Sequence, residues 1–235
     1  MSTILGAKTI VTSGLVLHLD AANIRSYPGT GTTWSDLSGN GNNVTLSGTG
    51  FSSDNGGCIT FDGSNDYGYI SSLDLPSRPF TLSVWIRHET SLGIWQSYMG
   101  QNTSDSGDNG LMYFQKRSAS SPGHAFKISV RPNNSDTQIE VNSTVTATLN
   151  VWYNLCAVIS SSDIKLYVNG ELESTLSNSN ILATRSGNFI IGAAYYDDSL
   201  TDWFNGKMST AMVHSNTLTA AEVRQNYDAL KMRYE

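Results

Sequence analysis

This sequence predicts an all-β fold, two antiparallel sheets packed as a sandwich with one short C-terminal helix, and three observations carry the prediction. Of 235 residues, 33 are Ser, 22 Thr, 20 Asn and 21 Gly, together 96. Ser, Thr and Asn compete with the helical backbone for hydrogen bonds and Gly carries a high backbone entropy cost, so a long-helix or coiled-coil protein is excluded. Secondly, 5 Trp, 11 Tyr and 7 Phe supply large side chains for a core, which excludes disorder. Thirdly, apolar residues recur at period two in short runs separated by turn residues. The length suits one sandwich domain.

Each element follows from its local pattern. Residues 1–13 hold few large side chains and read as an N-terminal arm or edge strand before a domain spanning 14–235. Leu15, Leu17 and Leu19 share one face of a strand that ends at Asp20. From Asn23 to Gly57 turn residues dominate, with Trp34 and Leu37 as anchors. Cys58–Phe61 and Tyr67–Ile70 are strands flanking the turn Asp62-Gly-Ser-Asn-Asp66. In Phe80–Ile86, Phe80, Leu82, Val84 and Ile86 alternate as a core strand. A loop-rich stretch, Ser91–Pro122, precedes Phe126-Lys-Ile-Ser-Val130, where three apolar residues alternate. Trp152–Ile159 is apolar almost throughout, as in a strand covered on both faces. Asn169-Gly170 separates two strand patterns and suits the two positive φ angles of a type I′ hairpin turn. Phe189–Gly192 and Lys207–His214 are the last strands, with an Asp-rich aromatic loop from Tyr195 to Trp203 between them. Thr219-Ala-Ala-Glu222 is a capping box, and Val223, Tyr227 and Leu230 form one apolar stripe of a terminal helix.

Charge narrows the function classes. Lys, Arg, Asp and Glu make up 14% of the chain, against about 25% in an average domain, and the net charge is −6. The basic residues are scattered singly, which excludes a phosphate-binding stripe and hence nucleic acid as a partner. No segment has the form of a signal peptide or a membrane span, so membrane insertion is not expected. Cys58 and Cys156 sit in apolar strand patterns and are expected as free, buried thiols. Asn-X-Ser/Thr sequons begin at Asn43, Asn102, Asn133 and Asn142, as expected by chance in so Asn- and Ser-rich a chain.

Eight segments in one order carry a family resemblance. They are Gly14-Leu-Val-Leu-His-Leu-Asp20, Trp34-Ser-Asp-Leu-Ser-Gly-Asn-Gly-Asn42, Ile59-Thr-Phe-Asp-Gly-Ser-Asn-Asp-Tyr67 and Phe80-Thr-Leu-Ser-Val-Trp85, then Trp152-Tyr-Asn, Leu166-Tyr-Val-Asn-Gly170, Phe204-Asn-Gly206 and Leu218-Thr-Ala-Ala-Glu-Val223. The chain from Gly14 to Tyr234 thereby resembles the laminin G-like domains of the concanavalin A-like lectin and glucanase superfamily. The resemblance implies a two-sheet jelly-roll sandwich, and such a scaffold carries unrelated functions. Because the family recurs in tailed-bacteriophage virions, it implies a non-enzymatic virion structural protein, a capsid decoration, fibre or tail component with a lectin-like binding domain. The N-terminal arm would then add to a neighbour's sheet edge, giving a homo-oligomer or attachment to other virion proteins, with host surface glycans as further partners. A free carbohydrate-binding module or lectin, located outside the cell or on its surface, is the second reading. A divergent glycosidase is the third.

Candidate site residues follow from the chemistry each function needs. Sugar or partner binding needs aromatic faces beside amides and hydroxyls, which points to Trp95 and Tyr98 with Gln96 and Gln101, and to Tyr195, Tyr196 and Trp203 with Asp198 and Asn205. These aromatics serve equally to pin long loops. Asp62 and Asp66 offer hard oxygen ligands for the structural calcium ion that the resemblance implies, or simply make Asx turns. A retaining glycosidase needs paired carboxylates facing one cleft. The nearest approach is Glu171-Leu-Glu173, read as a solvated strand edge, and the four histidines have no metal-type spacing, so no catalytic residue is expected.

Overall fold

The computed structural model describes residues 8–71, 73, 75, 79–90, 92, 94–101, 112–117, 123–130, 139–177, 188–196 and 199–235. In chain order the first strands are β1 (Leu15–Asp20), β2 (Thr33–Trp34), β3 (Val44–Ser47), β4 (Gly50–Ser52), β5 (Cys58–Asp62) and β6 (Tyr67–Ile70). Then come β7 (Phe80–His88), β8 (Gln96–Gln101), β9 (Met112–Lys116), β10 (Ala125–Val130), β11 (Ile139–Thr146) and β12 (Trp152–Ile159). The last are β13 (Asp163–Val168), β14 (Glu171–Ser177), β15 (Phe189–Ile191), β16 (Ala194–Tyr196), β17 (Ser199–Thr201) and β18 (Asn205–His214), followed by helix α1 (Ala220–Leu230).

Among the described residues these strands form two eight-stranded antiparallel sheets and one hairpin. The first sheet runs β14-β13-β12-β7-β18-β5-β4, with β1 also paired to β18. The second runs β11-β10-β9-β8-β15-β6-β3-β2, and β16 pairs with β17. The two sheets face each other across one core. Phe80, Leu82, Val84 and Ile86 of β7 point into it, opposite Phe114 of β9 and Phe126, Ile128 and Val130 of β10. This is the sandwich the alternation predicts, but the sheets contain more strands than the sequence suggests. Residues 23–57 are not one long loop: Val44 and Leu46 alternate with exposed Thr45 and Ser47 in β3, while β2 and β4 are too short to show a period.

Near-continuous burial of β7 and β12 has a single cause. Their outward residues lie beneath α1 and the chain end, where Trp85 stacks on Tyr227 and Tyr234 with ring centroids 5.6 and 3.9 Å apart. Val223 packs with Cys156, Val158, Tyr167 and Val11. The expected capping box forms, Thr219 accepting from the Glu222 N–H and Glu222 from the Thr219 N–H. Both cysteines are free and buried, and burial pushes the Cys58 thiol up to about 11 and raises Cys156 as well.

The described part of the expected arm, residues 8–13, lies on its own domain. The Val11 N–H donates to Asn226 Oδ1 at 2.7 Å, Gln225 Nε2 donates to the Thr9 carbonyl at 2.8 Å, and Lys8 pairs with Asp228. His214, next to the core residue Val213 on β18, is wholly buried beneath this segment, with Nε2 3.1 Å from the Val11 carbonyl. Residues 1–7 lie outside the described residues. Nor are Glu171 and Glu173 an equivalent solvated pair. A bulge in β14 separates them, so that Glu171 meets Arg224 of α1 while Glu173 accepts from the Thr144 and Val145 N–H groups and ties β14 to β11 across the two sheets.

Candidate functional site

The second sheet has two faces because side chains alternate along each strand. Met99 of β8, Met112 and Phe114 of β9, and Phe126, Ile128 and Val130 of β10 face the core, joined by Tyr98 through a register shift in β8. Tyr113, Gln115, Lys127, Ser129, Glu140 and Asn142 therefore face outward, and the strand registers bring Lys127 opposite Gln115 and Asn142. Among the described residues no helix covers this face. The hairpin β16–β17 lies there instead, tied down where the Ser97 N–H donates to the Asp202 carbonyl at 2.8 Å and the Tyr113 hydroxyl to the Tyr195 carbonyl.

Beside the hairpin is a cavity of about 180 Å³ lined by Trp95, Tyr113, Gln115, Lys127, Glu140, Ala194 and Asp202. Lys127 is its pivot, only 2% exposed. Its Nζ lies 2.7 Å from Glu140 Oε1 and 4.4 Å from the Trp95 ring centroid. Arg117 reaches the same carboxylate at 3.2 Å and the same ring at 5.4 Å. Burial lowers the Lys127 pKa and the Glu140 charge opposes that shift. Burial also raises the Asp202 pKa, against the Lys127 charge and a hydrogen bond from Gln115. The loop carrying Trp95 is held from below by Lys116, wholly buried, whose Nζ donates to the carbonyls of Leu92, Ile94 and Arg117 at 2.7, 2.7 and 2.9 Å.

On the other side of the hairpin, Tyr67, Tyr69, Asn188, Ile190, Tyr195 and Leu200 line a groove of about 340 Å³. Trp203 stands at its end, its ring 6.2 Å from that of Tyr67.

Of the expected binding residues, Trp95, Tyr195 and Trp203 thus reach this face. Tyr98 does not: it is wholly buried, packed on Phe114 and Phe204 and bonded to His88, because the β8–β9 register shifts between Ser97 and Met99 and Tyr98, the extra residue, turns inward beside Met99. Gln96 bonds His88 beside it. The side chains of Tyr196 and Asp198 lie outside the described residues. Asp62 and Asp66 form a turn, Asp62 Oδ1 accepting from the Ser64 N–H at 2.8 Å and Asp66 Oδ2 from the Asp62 N–H at 2.9 Å. Burial raises the Asp66 pKa, and the bond from the Ser64 N–H makes Asp62 the head of an Asx turn; among the described residues no three His, Cys, Asp or Glu side chains gather to hold a metal.

Lys127, Gln115, Tyr113 and Glu140 escaped the sequence reading as binding residues, whereas Asp202 belongs to the Asp-rich loop that the sequence marks. Lys127 and Ser129 do occupy the polar phase of an alternating strand, which marks the outward face, but nothing local says that this face is the one carrying a cavity. Glu140 and Asp202 come together only through the hairpin's placement.

With this geometry established, comparison with known proteins places the fold. A laminin G model of the concanavalin A-like lectin/glucanases superfamily matches residues 62–224, which is 163 of the 235 residues. No curated protein sequence matches the chain significantly. Among solved structures, the binding domain of Paraclostridial Mosquitocidal Protein 1 is similar with 16% identity and a TM-score of 0.69, over 91% of this chain and 52% of that one. Trypanosoma rangeli sialidase in complex with the inhibitor DANA has 14% identity and a TM-score of 0.70, over 100% of this chain and 36% of the enzyme. The binding domain of botulinum neurotoxin DC in complex with SialylT has 13% identity and a TM-score of 0.70, over 93% of this chain and 52% of that one. The chain thus spans between about a third and a half of the length of these proteins, and at such identities the likeness is one of fold. The family match, the two antiparallel sheets and the terminal helix agree: the chain belongs to the concanavalin A-like lectin/glucanases superfamily, as a laminin G-like domain.

Proposed function

We propose that this chain is a non-enzymatic glycan-binding domain that holds a sugar on the outer face of its second sheet, in the cavity around Lys127. The observation that carries the reading is the composition and rigidity of that cavity. An indole, a phenol, an amide, an ammonium and two carboxylates converge there, each fixed by a partner, and such a set matches sugar hydroxyls with little ordering cost on binding. The complex of botulinum neurotoxin DC with SialylT shows the same fold serving in a binding domain of that protein. A virion role, which the family resemblance raises, gains no support from the matched family or structures, and glycan binding does not depend on it.

One observation favours hydrolysis as a second reading. Asp202, whose acid form burial favours, lines the same cavity as Glu140, and a protonated acid beside an ionised carboxylate is what a glycosidase uses. Against it, Lys127 and Arg117 both bind Glu140 and would weaken it as nucleophile or base.

Glycan-array screening followed by calorimetric titration tests both. Wild type should bind, Lys127→Met should weaken binding about tenfold or more, since a hydrogen bond from a charged group is worth about 1.5–3 kcal/mol, and Gln115→Ala should weaken it about two- to tenfold, as for a neutral hydrogen bond of about 0.5–1.5 kcal/mol, both without loss of fold. A blank array for the folded wild type overturns the proposal. Release of new reducing ends by wild type but not by Asp202→Asn replaces it with the hydrolase.

A further inference from the structure

Four features of the second groove call for an occupant. Tyr67 and Tyr69 stand two apart on β6 and so project from the same face, their rings 6.5 Å apart. Ile190 lies directly opposite Tyr69 in the β6–β15 register, and Leu200 and Tyr195 close the groove from the hairpin. Tyr69 remains 37% exposed, so an aromatic face is held at the surface by a rigid sheet. None of the six lining residues carries a carboxylate, ammonium or guanidinium group, whereas three phenols and an amide stand ready at the rim. Aromatic faces with polar tips suit a ligand that is apolar on one side and hydroxylated at its edges.

The two basins share a wall. Ala194 lines the Lys127 cavity and Tyr195 the tyrosine groove, because successive residues of β16 point to opposite sides. The wall is fixed by the Tyr113 hydroxyl, which lines the first basin and bonds the carbonyl of Tyr195, which lines the second. Charge also constrains what can lie across it. The cations Lys127 and Arg117 are both committed to the Glu140 carboxylate. An acidic sugar would bring its carboxylate to that of Glu140, and the cation among the described lining residues, Lys127, is already bound to it.

We infer that the tyrosine groove is a second sugar subsite and that the ligand is an uncharged oligosaccharide crossing the β16–β17 hairpin, one unit over Tyr67 and Tyr69 and another in the Lys127 cavity. The inference rests on the glycan-binding reading above and adds the length and charge class of the ligand. The test titrates the whole chain with unbranched neutral oligosaccharides of increasing length, drawn from the array hits, and with sialyllactose. Affinity should rise with length and then level off, Tyr69→Ala should cost about tenfold on the longest member and flatten the rise, and Tyr69→Phe should retain it. Equal affinity for all lengths, or an unchanged length dependence in Tyr69→Ala, overturns the second subsite while the loss caused by Lys127→Met leaves the first standing. Binding of sialyllactose in preference to every neutral member overturns the charge class. If no sugar binds the folded wild type, the underlying reading falls as well.

Discussion

His88 sits in the core between two polar partners, and their identities settle its tautomer. Gln96 Oε1 accepts from the Asn205 N–H at 3.0 Å, so it acts as an acceptor and takes the His88 Nδ1–H at 3.1 Å. That leaves Nε2 to accept from the Tyr98 hydroxyl at 2.9 Å. The ring is neutral, and burial, helped by the Lys116 charge and opposed by the Gln96 bond, pushes its pKa down to about 3. In the unfolded chain the same ring titrates near its ordinary value of 6.5. Between those values the unfolded state binds a proton that the folded state refuses, so stability falls as pH drops from about 6.5 towards 3, by up to about 1.4 kcal/mol per pH unit from this ring. His18 and His214, also lowered by burial, act in the same sense, while Asp66 and Asp202, raised by burial, act in the opposite one. Urea unfolding across that range should show the decline in wild type and a shallower slope in His88→Gln; equal slopes would mean that His88 protonates in the folded state. The same network explains why Tyr98 could not be placed from sequence. A tyrosine between loop and strand patterns reads as exposed, because nothing in the sequence announces the register shift between Ser97 and Met99 that turns it inward.

At the scale of elements, the β13–β14 hairpin shows how local and distant constraints meet. Asn169 and Gly170 adopt φ of 52° and 77°, the two positive angles that a type I′ turn requires. This much is legible in the dipeptide. The docking of α1 over the turn is not: a Cβ on Gly170 would lie 3.0 Å from the Tyr227 ring. Gly170→Ala therefore meets both a left-handed backbone and a neighbouring side chain, and should destabilise the fold by about 1–2 kcal/mol, read as a lower urea midpoint at unchanged slope. An unchanged midpoint would show that the helix gives way freely. Residues 8–12 follow the same logic. Their sequence carries no period because the partners they satisfy, Asn226, Gln225 and His214, lie more than 200 residues away.

The whole molecule is a sandwich covered unequally on its two outer faces. Helix α1 and the N-terminal segment close the first sheet with packed apolar side chains, whereas the hairpin leaves two basins open on the second. Stability should be distributed accordingly. Amides of β7 and β12, flanked by strands on both sides and covered on both faces, should exchange with solvent only on global unfolding, and those of the edge strands β2 and β4 by local opening. Hydrogen exchange followed by mass spectrometry reads this order directly, and uniform protection across both sheets would contradict it. The sequence by itself determined the fold class, the core faces of β7 and β10, the type I′ turn and the capped helix, because period-two alternation, Asn-Gly turns and capping boxes act over a few neighbouring residues; in β1 the period holds only for Leu17 and Leu19, since a register shift before Leu17 turns Leu15 out against Trp85. Only the tertiary structure decided which outward face is buried under a helix and which stays open. It alone brought Lys127 and Glu140 from paired strands against Asp202 beyond the hairpin, since side chains so far apart in the chain meet only when strand order and loop placement are fixed by packing over the whole domain.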